Sequence, residues 1–254
     1  MKIFQFFKNL FVKAKRLDLK ILPSQGYFYD DDFSISIKKA KLEDINEYEV
    51  DFIRDDLSLI LRKVKRVVKK NVVITNGYNF EYIKSIDIIF IFFEIVKLTK
   101  NKKIDITYFD EYGNNLLVNF GPNTFNYYNF DGVFNNWNKK TKEFLINGYK
   151  YSLPSMGVEN SLTQFLINKS YEDGAEKYND YKYSFVYFVG NKENLNSDEI
   201  ENLIQIFNYD LDSDEMEKIE NIIKTFSSLQ RYTLKKGDKI IEITSRINLQ
   251  TIWK

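Results

Sequence analysis

Leu22-Pro23-Ser24-Gln25-Gly26-Tyr27-Phe28-Tyr29, followed by Asp30-Asp31-Asp32 and the alternating segment from Phe33 to Lys39, is the stretch on which the reading of this chain turns. Pro23 fixes its own φ, and Gly26, three positions on, is free to take φ > 0, so the segment reads as a tight turn. Phe33-Ser34-Ile35-Ser36-Ile37 alternates apolar and polar side chains with period two, the pattern of a half-buried strand. The turn thus delivers three aromatics and three carboxylates to the start of a strand. Three consecutive carboxylates point in different directions along an extended chain, so Asp30 to Asp32 read as a solvated flank before they read as a cation site.

Upstream, Met1 to Val12 places Phe4, Phe7 and Phe11 at helical spacing, with Lys8, Lys13, Lys15 and Arg16 outside. Lys8 interrupts the apolar run and no small-residue cleavage site follows, which argues for an amphipathic helix and against a signal peptide. Downstream, 51–70 reads as a helix whose basic last turns complement the negative end of its dipole. That structural reason outweighs a nucleic-acid reading of the same basic face. Asn76-Gly77 marks a turn, and 82–100 reads as a largely buried helix. A hairpin is expected for 103–109 and 116–120, and a second, short one across Asn147-Gly148.

From Leu153 onward the pattern is mainly helical: 161–170, 178–189, 198–207 and 214–229, with Ser197 and Ser213 as N-caps. A hairpin from Tyr232 to Ile243 closes the region. The expected fold class is therefore α+β, with an N-terminal α+β lobe bearing β-hairpins (1–150) and a mainly helical C-terminal lobe (151–254) ending in a small β-hairpin.

Composition narrows the chemistry. The 254 residues contain no Cys and no His, which excludes disulfides, thiolate nucleophiles, Ser-His-Asp and Cys-His triads, and the commonest metal ligands. Asp210-Leu211-Asp212-Ser213-Asp214 starts like a calcium loop, but Glu215 stands where a glycine is needed and Asn221 where a bidentate Glu should close the site. No nucleotide-binding glycine motif is present. No catalytic residue, cofactor or metal is expected, and neither is a membrane partner. A formal charge of +1 gives no general attraction to nucleic acid. The 17% aromatic content fits the codon bias of an AT-rich genome or, alternatively, a Tyr-rich interaction surface.

Leu22-Pro23-Ser24-x-Gly26-x-Phe28-Tyr29 leading into an alternating strand, and then the acidic segment Lys41 to Glu47, resembles the baseplate hub assembly proteins of T-even-type contractile-tailed bacteriophages. The order of later motifs is similar as well: Ser85-Ile86-Asp87-Ile88-Ile89-Phe90, then Tyr151-Ser152-Leu153-Pro154-Ser155, then Tyr187-Phe188-Val189-Gly190. The resemblance implies a non-enzymatic hub subunit or assembly chaperone. Its partners would be other tail or baseplate proteins, in the host cytoplasm during assembly and, for a permanent subunit, in the virion. A zinc element after the central apolar helix does not carry over, since Asp110-Glu111-Tyr112-Gly113 stands there. Two readings are open for Phe4, Phe7, Phe11, Tyr27, Phe28 and Tyr29: they bind a partner tail protein, or they complete the core of their own lobe. The rival functions are a tail-associated, carboxylate-dependent cell-wall hydrolase and a structural subunit of another large assembly.

Overall fold

A computed structural model describes residues 14–41, 44, 57–101, 104–109, 115–120, 137–146, 149–173, 181–188, 190, 192–229, 232–236, 239–243 and 247–248. Within them the fold is mixed α+β, with helices and small antiparallel sheets. The expected N-terminal helix, with Phe4, Phe7 and Phe11, lies outside the described residues.

The first sheet has the order β1 (Lys15–Arg16), β2 (Ile35–Ile37), β3 (Val72–Ile74). Ile35 and Ile37 are buried and Ser36 is half-buried, as the alternation requires. Lys15 and Arg16, read above as the outer face of a helix, are strand residues instead. Arg16 pairs with Ser36, and Leu17 N–H extends the pairing by donating to Ile35 C=O at 2.9 Å. β3 runs directly from the end of α1 (Leu57–Asn71), then turns at Asn76 and Gly77, both with φ > 0. Three lysines of α1 are engaged by carboxylates, Lys65 by Glu159, Lys69 by Glu81 and Lys70 by Asp44, so much of the basic face is locally neutralised.

α2 (Ile88–Lys100) is buried through Val96 apart from the half-buried Ile89, is half-buried in its last turn, and packs against Val64, Val67 and Val68 of α1. It starts six residues later than its apolar pattern predicts. The stretch from Phe80 to Asp87 forms two short 3-10 turns, because Ile83 C=O and Ser85 N–H are bonded to Met156 N–H and Pro154 C=O. Beyond α2, β4 (Ile104–Phe109) and β5 (Asn115–Phe120) form the expected hairpin, with β11 (Ile247–Asn248) added to the outer edge of β4. A third sheet has the order β6 (Trp137–Asn138), β7 (Glu143–Ile146), β8 (Tyr149–Tyr151).

The C-terminal half holds α3 (Met156–Asp173), α4 (Tyr181–Phe188), α5 (Ser197–Gln205), a π-helical turn at Ile206–Asp210, α6 (Ser213–Leu229), and the hairpin β9 (Tyr232–Lys236), β10 (Lys239–Ile243). Both caps sit one residue before the expected serines. Asn196 and Glu199 form a reciprocal capping box on α5, and Asp212 and Glu215 exchange the same bonds on α6. Asn196→Ala is expected to cost about 1 kcal/mol, read as a lower melting temperature.

The buried side chains form three clusters. The first joins β2, α1, α2, Tyr29 and Met156; the second joins Phe28, Ile86, Phe144, Tyr151, Phe185 and Phe207; the third joins α3 to Val186, Leu195 and Ile200. The expected lobe boundary at residue 150 falls inside β8, and Phe144 and Tyr151 pack with the C-terminal helices. The neighbouring aromatics Phe28 and Tyr29 point into different clusters, so the proline turn stands where the first two meet.

Candidate functional site

The turn is tighter than its Pro and Gly alone require. Gln25 and Gly26 both have positive φ, at 52° and 76°, and Gln25 N–H closes on Leu22 C=O at 2.8 Å. Ser24 Oγ accepts from Gly26 N–H at 3.3 Å. A Cβ at position 26 would lie 3.1 Å from Leu19 Cβ on a backbone that L residues rarely adopt. Gly26→Val is therefore expected to lower stability by about 1–3 kcal/mol, measured by thermal melting.

Inside the turn, polar groups converge on one carboxylate. Asp87 is fully buried; its Oδ1 accepts from Ser24 N–H at 2.8 Å and its Oδ2 from Tyr29 O–H at 2.7 Å. Tyr29 Oη in turn accepts from Lys84 N–H at 2.9 Å. The Lys84 side chain is also fully buried, its Nζ lying 5.0 Å from the centre of the Tyr82 ring and 6.0 Å from that of Tyr29. Burial pushes Asp87 up to about 6 against the hydrogen bonds from Ser24 and Tyr29, which favour its charged form. Burial pulls Lys84 down to about 7 against the attraction of Asp30, Asp87 and Glu143. Desolvation dominates at both groups because neither reaches water.

Four segments distant in sequence meet around this cluster. The turn is tied to 85–90 through Ser24 and Asp87. Segment 83–85 pairs with 154–156 through the Lys84 to Ser155 bridge and its flanking hydrogen bonds. Ser85 Oγ and Tyr187 Oη lie 3.0 Å apart, and Ser152 N–H donates to Phe188 C=O at 2.9 Å. Gly190, at φ 73°, donates to Lys150 C=O at 2.7 Å. The hydroxyl of Ser155 accepts from Val158 N–H in the first turn of α3 and donates to Glu193 C=O, fixing where that helix begins.

Of the aromatics proposed to bind a partner, Phe28 and Tyr29 belong to the chain's own core, at 0% and 1% exposure. Phe28 packs on Trp137 and Phe144, and Tyr29 stacks on Phe33 at 4.4 Å between ring centres. Among the described ones, Tyr27, 40% exposed, is the one that offers surface. Asp31 and Asp32 are exposed, as a solvated flank requires, and Asp30 is half-buried, yet each carboxylate has a partner. Asp30 accepts from Tyr82 O–H at 2.7 Å, Asp32 from Tyr78 O–H at 2.8 Å, and Asp31 pairs with Lys142 at 2.7 Å.

An open pocket of about 550 Å³ on the outer side of the turn is lined partly by Asp18, Asp30 and Asp31. Asp18 caps a 3-10 turn through Lys20 N–H, and the Lys142 ammonium holds the Asp31 carboxyl below its usual range. A cell-wall hydrolase needs one carboxyl that keeps its proton, so the bias at Asp31 runs the wrong way for a general acid. Among the described residues, no group of three or more Asp or Glu is placed to hold a metal, and no helix is long and apolar enough to cross a membrane.

No protein-family model, curated protein or solved structure matches this chain. Lys84 and Asp87 were not singled out from sequence, although the signal was legible: a lone carboxylate inside Ile86-Asp87-Ile88-Ile89, with a lysine three residues before it, is an ionisable pair in an apolar setting.

Proposed function

We propose that this chain is a tail assembly protein of contractile-tailed bacteriophages, a baseplate hub subunit or a hub assembly chaperone, working by protein–protein contact in the host cytoplasm. What supports the reading is the joint placement of the sequence patterns behind the resemblance. The segments 22–29, 85–90, 151–155 and 187–190 are spread over most of the chain, yet they bond to one another around Asp87 and Ser85. Patterns that share one junction act as a unit, which gives their common order more weight than four independent short matches. Tyr27 at the rim of that junction is the exposed aromatic through which a partner is contacted.

Disruption of the gene in the phage that encodes it, followed by electron microscopy of the lysate, tests the reading. Tails that lack a completed baseplate are the expected product. Intact, infectious contractile tails from the disrupted phage would overturn it.

A further inference from the structure

We infer that the Ser24–Tyr29–Asp87–Lys84 cluster is a proton-controlled latch, which holds the 22–32 turn most loosely when Asp87 and Lys84 are both charged and more firmly on either side of that state. The inference goes beyond the assembly role and does not depend on it.

The geometry carries it. An acid and a base are sealed at 0% exposure in the same junction, and both hold the same turn: Asp87 through Ser24 N–H and Tyr29 O–H, Lys84 through its backbone N–H to Tyr29 Oη. The groups facing them are Tyr29 and Asp30 from the turn, Tyr82 from the 3-10 segment, and Glu143 from β7. Asp31 and Lys142 pair nearby, at the edge of the turn.

Undocking the turn lets water reach both groups and returns them to their ordinary protonation. Buried Asp87 binds its proton more tightly than solvated Asp87, so docking strengthens as pH falls below about 6, and that gain is lost as pH rises through 6. Buried Lys84 binds its proton more weakly than solvated Lys84, so docking strengthens as pH rises above about 7, and that gain is lost as pH falls through 7. The two contributions leave a minimum between, where many proteins have their stability maximum.

Amide hydrogen exchange of Ser24 and Lys84 between pH 5 and 9, corrected for intrinsic rates, reads this directly, since both amides are held by the cluster. Protection should be lowest near pH 6–7 and rise on both sides, approaching tenfold per pH unit where a single proton is linked. Asp87→Asn should remove the acid-side rise and Lys84→Met the alkaline-side rise. A flat profile, a profile with its maximum at pH 6–7, or folded variants that keep both rises would overturn the inference. Where a variant does not fold, the wild-type profile decides, together with NMR titration of the Asp87 carboxyl and the Lys84 amine.

Discussion

Tyr29→Ala is expected to lower the unfolding free energy by about 4 kcal/mol, while Tyr29→Phe costs about 1–3 kcal/mol. The Ala variant removes a ring that is 1% exposed, stacked on Phe33 and tilted against Tyr82, leaving a cavity beside those two rings. The Phe variant keeps the ring and deletes only the hydroxyl. That hydroxyl is donor to Asp87 and acceptor from Lys84 N–H, so both partners lose a bond inside a sealed site. Urea denaturation of the two variants separates ring from hydroxyl. It also separates the two readings of this aromatic, because a partner-binding Tyr29 would leave the stability of the isolated chain unchanged on substitution.

Gly157→Ala is expected to destabilise by about 3 kcal/mol, although helix propensity alone predicts a gain of about 1 kcal/mol for the same change. Gly157 lies in the first turn of α3, and a Cβ there would run into the backbone carbonyl of Glu193 and come within 3.1 Å of Glu81 Cβ. The Glu193 carbonyl is held by the Ser155 hydroxyl, so it cannot retreat without breaking that bond. Overpacking against backbone outweighs the gain in propensity and decides the sign. Thermal melting of Gly157→Ala checks it, and a raised melting temperature would mean that the 193 segment does not approach α3 this closely.

How much of this was legible depended on whether a feature is local. The β2 alternation, the Asn76-Gly77 turn, the β4–β5 hairpin and the β9–β10 hairpin follow from side-chain period and turn chemistry within each short segment. The late start of α2 does not, because an apolar run from Tyr82 is helical by pattern, and only pairing with Pro154 and Met156 pulls Ile83 to Ser85 out of the helix. Lys15 and Arg16 fail for the same reason, since their strand exists only through β2, further along the chain.

The site divides in the same way. Turn geometry at Gly26 was readable from Pro23 and Gly26, whereas the extra left-handed residue Gln25 was not. Asp31 and Asp32 are exposed as their sequence suggests, but the partners of the triplet, Tyr78, Tyr82 and Lys142, were not readable because tertiary contacts supply them from 46 to 111 positions away. Of the two readings open for Phe28 and Tyr29, their burial fits completion of the chain's own core, and a three-aromatic run cannot be divided between solvent and core until the first sheet and β6 to β8 are in place.

Binding to tail proteins during baseplate hub assembly is the role proposed for this chain, and quantitative mass spectrometry probes it at its source. To test that proposal, baseplate precursors and purified particles are fractionated from a lysate of a contractile-tailed phage carrying the gene, and the amount of the chain is measured in each. The chain should co-sediment with hub precursors, persisting in fixed ratio in mature tails if it is a subunit and disappearing from them if it is a chaperone. Finding it in neither fraction, while it is abundant and free in the same lysate, would rule that role out.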